Sequence, residues 1–296
     1  MASVIQARKC AWHFCLDFLV VDDGALADDL CPKLAARLEA AQITWHYSNK
    51  RDRAGLLQSR IEAVKLARHD WLLFVDDDVE IAPDYLVRLR DVVGAHPDLS
   101  GVGGVDILSR QRGFWTLAGC LLLGLEPFRP GRHSFAGFPC NMSRIRNAKR
   151  AFSTQRLYGC NMAFRRSALA NLCMLPGFNG YSLGEDAYLS FVALESGRLL
   201  IEPALLVKHH HAPAARDSAF EIGRMSVLNH WTLLCLYSRP GWRLPRLALS
   251  LPALLTMSAA RAFGWGRSGA NSPGLAFARG QLSALGSLLR TLSRGR

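Results

Sequence analysis

Trp71-Leu72-Leu73-Phe74-Val75-Asp76-Asp77-Asp78 is the stretch on which the fold turns. Five apolar residues, rich in β-formers and free of turn residues, read as a central parallel strand buried on both faces. The strand opens into three carboxylates. In open α/β sheets ligands bind just beyond the carboxyl ends of the strands. A hard cation such as Mg²⁺ or Mn²⁺ prefers carboxylate oxygens and commonly carries substrate phosphate on its remaining positions. A solvated acidic loop is the plainer alternative for one aspartate, but three in a row at a strand end favour the metal.

The flanking sequence keeps an α/β rhythm. Asp17-Phe18-Leu19-Val20-Val21 is a short strand ending at Asp22-Asp23-Gly24. Leu30, Leu34 and Leu38 recur at helical spacing. Ile43 to Tyr47 is a second strand, and Gly55 to Arg68 is helical with Leu57, Ile61 and Val64 on one face. After the acids, Pro83 suits the first turn of a helix through Leu86, Leu89 and Val93. Gly101 to Leu108 is glycine-rich and β-like, and Gly159 to Phe164 is strand-like. Ala187 to Glu195 is a helix closed by Gly197. Leu199–Ile201 and Leu205–Lys208 flank Pro203 and lead into His209-His210-His211. This order predicts a mostly parallel central sheet with helices on both faces. Phe114 to Leu125 is apolar but too short to span a bilayer, which leaves a core or interfacial helix.

The 296 residues suffice for one large domain with an appendage. The eight cysteines form no CxxC pair and read as free thiols of a reducing compartment. The start, Met1 to Lys9, lacks the apolar core of a signal peptide. The net charge of +12 is uneven: residues 221–296 hold ten arginines and one acid, Glu221. A basic, apolar segment without a long uncharged span fits an anionic membrane surface better than a crossing. No nucleic-acid module accompanies the charge, which argues against nucleic acid as a partner. The expected organisation is a catalytic domain over 1–220 and a helical, arginine-rich, membrane-associating segment over 221–296.

Four clusters fall at element ends: Asp22-Asp23, Asp76 to Asp78, Glu185-Asp186 and His209 to His211. Taken alone, Asp22-Asp23-Gly24 could be a turn, Glu185-Asp186 a helix cap and the histidines a solvated loop. Together with VVDDG (20–24), FVDDDVEIAPDYL (74–86), YGCNMAFRRSAL (158–169), PGFNGYSLGEDAYLS (176–190) and IEPALLVKHHH (201–211), they resemble a family 2 glycosyltransferase of the GT-A fold. The resemblance spans about residues 17–211, and the ordered set is far more specific than any one motif.

That resemblance implies an inverting, metal-dependent transfer from a nucleoside-diphosphate sugar, UDP- or dTDP-linked, to a lipid-linked or polysaccharide acceptor. The expected place is the cytoplasmic face of the cell membrane. Asp76-x-Asp78 matches the DxD motif, with Asp78 a direct ligand of Mg²⁺ or Mn²⁺ and Asp76 a metal-site or ribose contact. Asp22 and Asp23 match the acidic pair at the nucleotide base. Arg53 and Arg60 lie where the family often carries an arginine near the diphosphate. Asp186 matches the general base, with Glu185 orienting the acceptor or the base, and His209 completes the metal shell or meets the diphosphate. Gly159 to Phe164 and Phe178 line the acceptor side or serve structure alone. The family's usual first strand is not visible before Asp17, and Met1 to His13 resemble the helix that normally follows it. The expectation is therefore a GT-A sheet without its first strand, with a coding start further upstream or an impaired donor site. Two alternatives remain: a non-catalytic binding or scaffold relative, and a sugar nucleotidyltransferase. The latter would want a glycine-rich, basic triphosphate loop, and the sequence offers none.

Overall fold

A computed structural model describes residues 1–11, 15–22, 30–50, 55–210, 218–264 and 273–294. Asp23, Arg53 and His211 lie outside the described residues.

The chain opens on α1 (Ala2–Cys10), followed by β1 (Asp17–Asp22), α2 (Leu30–Ala40), β2 (Thr44–Asn49), α3 (Leu56–Leu66) and β3 (Trp71–Phe74). Then come β4 (Val79–Ile81), α4 (Tyr85–Ala95), β5 (Leu99–Asp106), α5 (Phe114–Leu122), α6 (Met142–Ile145), β6 (Phe152–Thr154) and β7 (Met162–Arg165). The last elements are α7 (Glu185–Leu194), β8 (Arg198–His209), α8 (Ala219–Tyr237), α9 (Arg243–Gly264) and α10 (Pro273–Arg294). The expected α/β class, with helices flanking a central sheet and further helices at the C-terminus, is what the chain adopts.

Two expectations about the sheet need correction. It is mixed rather than mostly parallel: β1–β2 and β5–β8 are the parallel pairs, while β3–β7, β5–β7, β4–β8 and β6–β8 are antiparallel. Nor is β3 central. The six-stranded sheet runs β3-β7-β5-β8-β4, with β6 paired to β8, and β3 ends that path. Strand direction is a tertiary property that an apolar run does not carry. The strand buried along its whole length is β5, whose glycines make it look the least strand-like. Those glycines admit neighbouring chains: a Cβ on Gly104 would lie 1.7 Å from the Leu205 carbonyl oxygen, and one on Gly103 2.7 Å from that of Asn161. The two segments expected around Pro203 form a single strand, β8, whose pairing with β5 shifts register between Gly103 and Val105.

β1 and β2 form their own two-stranded sheet, and among the described residues it shares no ladder with the other. Its face is aromatic, with Phe18, Trp45 and Tyr47 stacked in sequence. His69, just before β3, lies 3.4 Å from Asp17 at the start of β1.

The chain divides into two compact units. The first takes Met1–Gln111, Asn141–Met174 and Asp186–Ala212; the second takes Arg112–Cys140, Leu175–Glu185 and Pro213–Arg296. The core of the first joins α1, α4 and the sheet through Val79, Tyr85, Leu99, Val102, Ala163 and Val207. A buried polar staple crosses it: Tyr85 donates to Asn161 Oδ1 (2.5 Å), and Asn161 Nδ2 donates to the Leu205 carbonyl (3.0 Å). The second unit centres on α8, α9 and α10, packed through Val227, Leu247, Leu254, Ala284, Leu285 and Leu288. Its helices approach closely at glycine: a Cβ on Gly223 would meet the Phe277 carbonyl oxygen at 2.1 Å, and one on Gly280 that of Phe220 at 2.0 Å.

Candidate functional site

The turn from β3 to β4 presents the acids. Val79 N–H donates to the Asp76 carbonyl (3.2 Å), which closes the turn and leaves Asp77 exposed. Immediately afterwards β4 pairs antiparallel with β8, placing Val79 opposite His209. That register carries the imidazole to the acids. His209 Nε2 is 3.1 Å from Asp78 Oδ1 and 3.9 Å from Asp76 Oδ2. One ligand atom from each of Asp76, Asp78 and His209 falls within 4.8 Å of the others.

The surroundings hold this group in place. Asp106, buried at the end of β5, accepts from His209 N–H (3.1 Å) and from Leu108 N–H (2.9 Å). His210 N–H donates to the Asp78 carbonyl (3.1 Å), while its ring faces outward to Glu80 at 3.2 Å. Arg60, on α3, is buried, 3.6 Å from Asp76, with its guanidinium over the Phe74 ring and a hydrogen bond to Met162 sulfur. Burial pushes the Asp76 carboxyl upward; Arg60 and His209 oppose that, and the charges of Asp78 and Asp186 reinforce it. Concentrated negative charge with adjoining nitrogen donors suits a divalent cation. Two carboxylates and one imidazole are a donor set that Mg²⁺ or Mn²⁺ accepts.

Asp186 sits in a second group. Arg156 grips it with both arms: Nη2 is 2.7 Å from each carboxylate oxygen and Nε is 3.2 Å from Oδ2. Gly159 N–H adds a bond to Oδ2 (3.3 Å) and Ala187 N–H one to Oδ1 (2.8 Å). The same helix is fastened below through Ser190, whose hydroxyl donates to the Asp186 carbonyl (2.6 Å) and accepts from Leu157 N–H (2.9 Å). Glu185 opens α7 and is buried, its N–H donating to the Ser182 carbonyl (3.0 Å). Asp22 ends β1, where Tyr47 donates to its Oδ2 (2.8 Å), and that bond pushes the phenol up to about 12.

The structure thus gathers Asp76, Asp78, His209 and Arg60 at one point, places Asp186 in a separate clamp, and leaves Asp22 on the small sheet. Met162, Ala163, Phe164 and Phe178 are fully buried, which makes these side chains core rather than cleft lining. The sequence reading passed over two side chains. Asp106 could have been found by the logic applied to Asp76, an acid closing an apolar strand. Arg156 carried no local signal; only the fold brings it to Asp186.

The comparisons with known proteins bear on the family and the fold. A family model described as "Glycosyl transferase family 2" matches residues 3–173. Among solved structures, a mannosyltransferase from Pyrobaculum calidifontis in complex with GDP-Man and Mn²⁺ superposes with a TM-score of 0.51 at 20% identity. That match covers 93% of this chain and 71% of the other. TarS (residues 1–349) from S. aureus also gives 0.51, at 14% identity, over 88% of this chain and 68% of its own. At these identities the likeness is one of fold. Among curated proteins no sequence relative matches at a significant level.

Proposed function

The chain belongs to glycosyl transferase family 2, and from that premise we propose that it is an inverting, metal-dependent glycosyltransferase using a nucleoside-diphosphate sugar. The observation that carries the reading is the convergence of Asp76, Asp78 and His209, from two elements far apart in sequence, on one cation-sized point. Asp78 and His209 hold the metal, with Asp76 beside them at the metal or the ribose. A bound divalent cation supplies Lewis-acid stabilisation of the charge on the departing diphosphate. Arg60 acts from behind Asp76, and Arg53 takes the diphosphate. Asp22 and Asp23 serve the nucleotide base.

Asp186 is the general base and Glu185 orients the acceptor. The acceptor oxygen bonds to the anomeric carbon as the bond from that carbon to the diphosphate oxygen breaks. The acceptor proton passes to Asp186, and the nucleoside diphosphate leaves with the bonding electrons. One displacement inverts the anomeric configuration. Both oxygens of Asp186 already accept hydrogen bonds, so Arg156 must give up part of its grip when the acceptor hydroxyl arrives. The acceptor is lipid-linked or a polysaccharide. The C-terminal segment rests on the cytoplasmic membrane face, where α9 and α10 turn Leu244, Leu249, Leu255, Leu282 and Leu289 outward. Among the described residues no helix is long and apolar enough to cross a membrane.

Release of nucleoside diphosphate from a panel of UDP-, dTDP- and GDP-sugars, with Mn²⁺ or Mg²⁺ and lipid extracts as acceptors, tests the proposal. No turnover with any donor would sink it. One observation favours a second reading, a non-catalytic nucleotide-sugar-binding relative: the saturation of Asp186 by protein donors. That reading requires metal-dependent binding of UDP or another nucleoside diphosphate with no turnover in the same panel.

A further inference from the structure

The second unit holds an apolar surface that the fold leaves uncovered. α5 reads Phe114-Trp115-Thr116-Leu117-Ala118-Gly119-Cys120-Leu121-Leu122, apolar around its whole circumference, yet none of its residues is buried. A helix apolar all round belongs inside a protein or in lipid. Phe114, Trp115, Leu122, Phe128 and Phe135 are 74–87% exposed. This much apolar surface in a short segment marks an interaction site.

The segment is a built structure. Arg112 pairs with the buried Glu126 at 2.8 Å, closing the loop that contains α5. Further on, His133 and Pro139 pair as an antiparallel bridge, and between them Ser134 N–H donates to the Phe138 carbonyl (2.8 Å). Phe138 stacks on His230 of α8 with ring centroids 4.4 Å apart. Gly137, at φ +84°, makes the turn that tips Phe135 outward while Phe138 stays anchored.

We propose that α5 and the 128–135 turn form a docking surface for an anionic lipid bilayer. Phe114, Trp115, Leu122, Phe128 and Phe135 would enter the interface, and Arg129 and Arg132 would meet the lipid phosphates. Three features select lipid. At about 1.5 Å per residue the nine-residue helix can lie in the interface but cannot span it. Its exposed side chains include Phe114, Trp115 and Leu122, and the turn that follows carries exposed Arg129 and Arg132, the composition of an interfacial element. Finally, the unit that carries it has fourteen arginines and no lysine against four acids, +10 of the chain's +12. Such a charge repels a second copy of the same unit and is attracted to anionic lipid. The inference goes beyond the proposed transfer reaction and needs no sugar donor. It also names a surface other than the C-terminal helices.

The test is co-sedimentation of the full chain with vesicles of phosphatidylcholine alone or mixed with phosphatidylglycerol, without donor or metal. Wild type is expected to bind the anionic vesicles. The variant Trp115→Ser/Leu122→Ser/Phe128→Ser/Phe135→Ser, all at exposed positions, is expected to keep its circular dichroism melt. Its partitioning should fall by roughly a hundredfold. Arg129→Glu/Arg132→Glu should lower it by roughly tenfold at low salt and less at high salt. Leu282→Ser/Leu289→Ser, on α10, reads the tail's share separately and should lower partitioning by less than the quadruple variant does. Wild type that ignores anionic vesicles, or a quadruple variant that binds like wild type, would overturn the proposal. So would a wild-type dimer that ignores vesicles and that the quadruple variant dissolves, since the surface would then fit a second copy. Loss of transfer activity with vesicle binding intact would count against the enzymatic reading alone.

Discussion

The two units use their charge in opposite ways. The first carries nearly balanced charge and concentrates it: Asp76, Asp78, His209 and Arg60 meet at a strand end, and Arg156 grips Asp186 at the start of α7. The second carries most of the net positive charge and spreads it over a helical body whose core is aliphatic. Chemistry needs opposite charges held at fixed distances, whereas attraction to a polyanionic surface needs only one sign in excess. The contrast separates a unit that gathers opposite charges at fixed points from one that carries a single sign in excess.

The contrast breaks first at the acids. Asp78→Ala or His209→Ala should lower turnover by roughly a thousandfold or more, since the metal's stabilisation of the leaving group is lost. Titration calorimetry should show weakened Mn²⁺ binding in the same variants, and chelation of wild type should abolish turnover until Mn²⁺ is restored. Asp186→Asn should cost about 10² to 10⁴ in transfer rate while leaving Mn²⁺ binding intact. If both readouts fell together, Asp186 would belong to the metal group and not to a separate clamp.

Next in size are the close approaches, where the two units are alike. Gly104→Val in β5 and Gly223→Val in α8 would each drive a side chain into a carbonyl oxygen, and backbone cannot yield cheaply. Each should cost about 3 kcal/mol or more, seen as a lower midpoint in thermal unfolding. A tolerated Gly223→Val would mean that α8 and α10 can separate without loss, and that the second unit is looser than the first.

The smallest expected effect is acid sensitivity of the second unit. His230 is buried against Phe138, and burial lowers its pKa from the ordinary 6.5 to about 4. Its Nε2 has no hydrogen-bond partner. A histidine depressed in the folded state binds protons more readily when unfolded, so stability is intact above about pH 6.5 and falls as the pH drops towards 4. The loss should be about 2 kcal/mol between about pH 7 and about pH 5. His230→Phe should flatten that slope in urea titrations at the two pH values. An unchanged slope would assign the acid sensitivity elsewhere.

Much of the site could be read from the chain because acids at strand ends are a local signature. The strand 71–75 and Asp76 to Asp78 are adjacent in sequence, and His209 follows a strand in the same manner. Arg156 was invisible because its partner is thirty residues away, and ion pairs between elements leave no periodicity. Asp106 was visible in principle, as the lone acid of the glycine-rich, β-like stretch 101–108, but no neighbouring acid singled it out. The glycines of β5 illustrate the general difficulty. Their low strand propensity gave no sign that this strand is buried along its whole length, because what selected glycine was the close approach of the Leu205 and Asn161 carbonyls. For α5 the sequence left core and interface open. Burial decides for exposure: none of its residues is buried, and Phe114, Trp115 and Leu122 lie open.

By itself the sequence determined the family, the α/β order of elements, the acids that could hold a metal and the uneven charge. Each of these is written in residue type and short-range spacing. The tertiary structure decided strand direction, the edge position of β3, the clamp on Asp186, the separation of the two sheets among the described residues and the exposed aromatic surface. All of these depend on which side chains and backbone groups become neighbours once distant segments close on one another. That closure is set by the mutual fit of surfaces, and no local pattern records it.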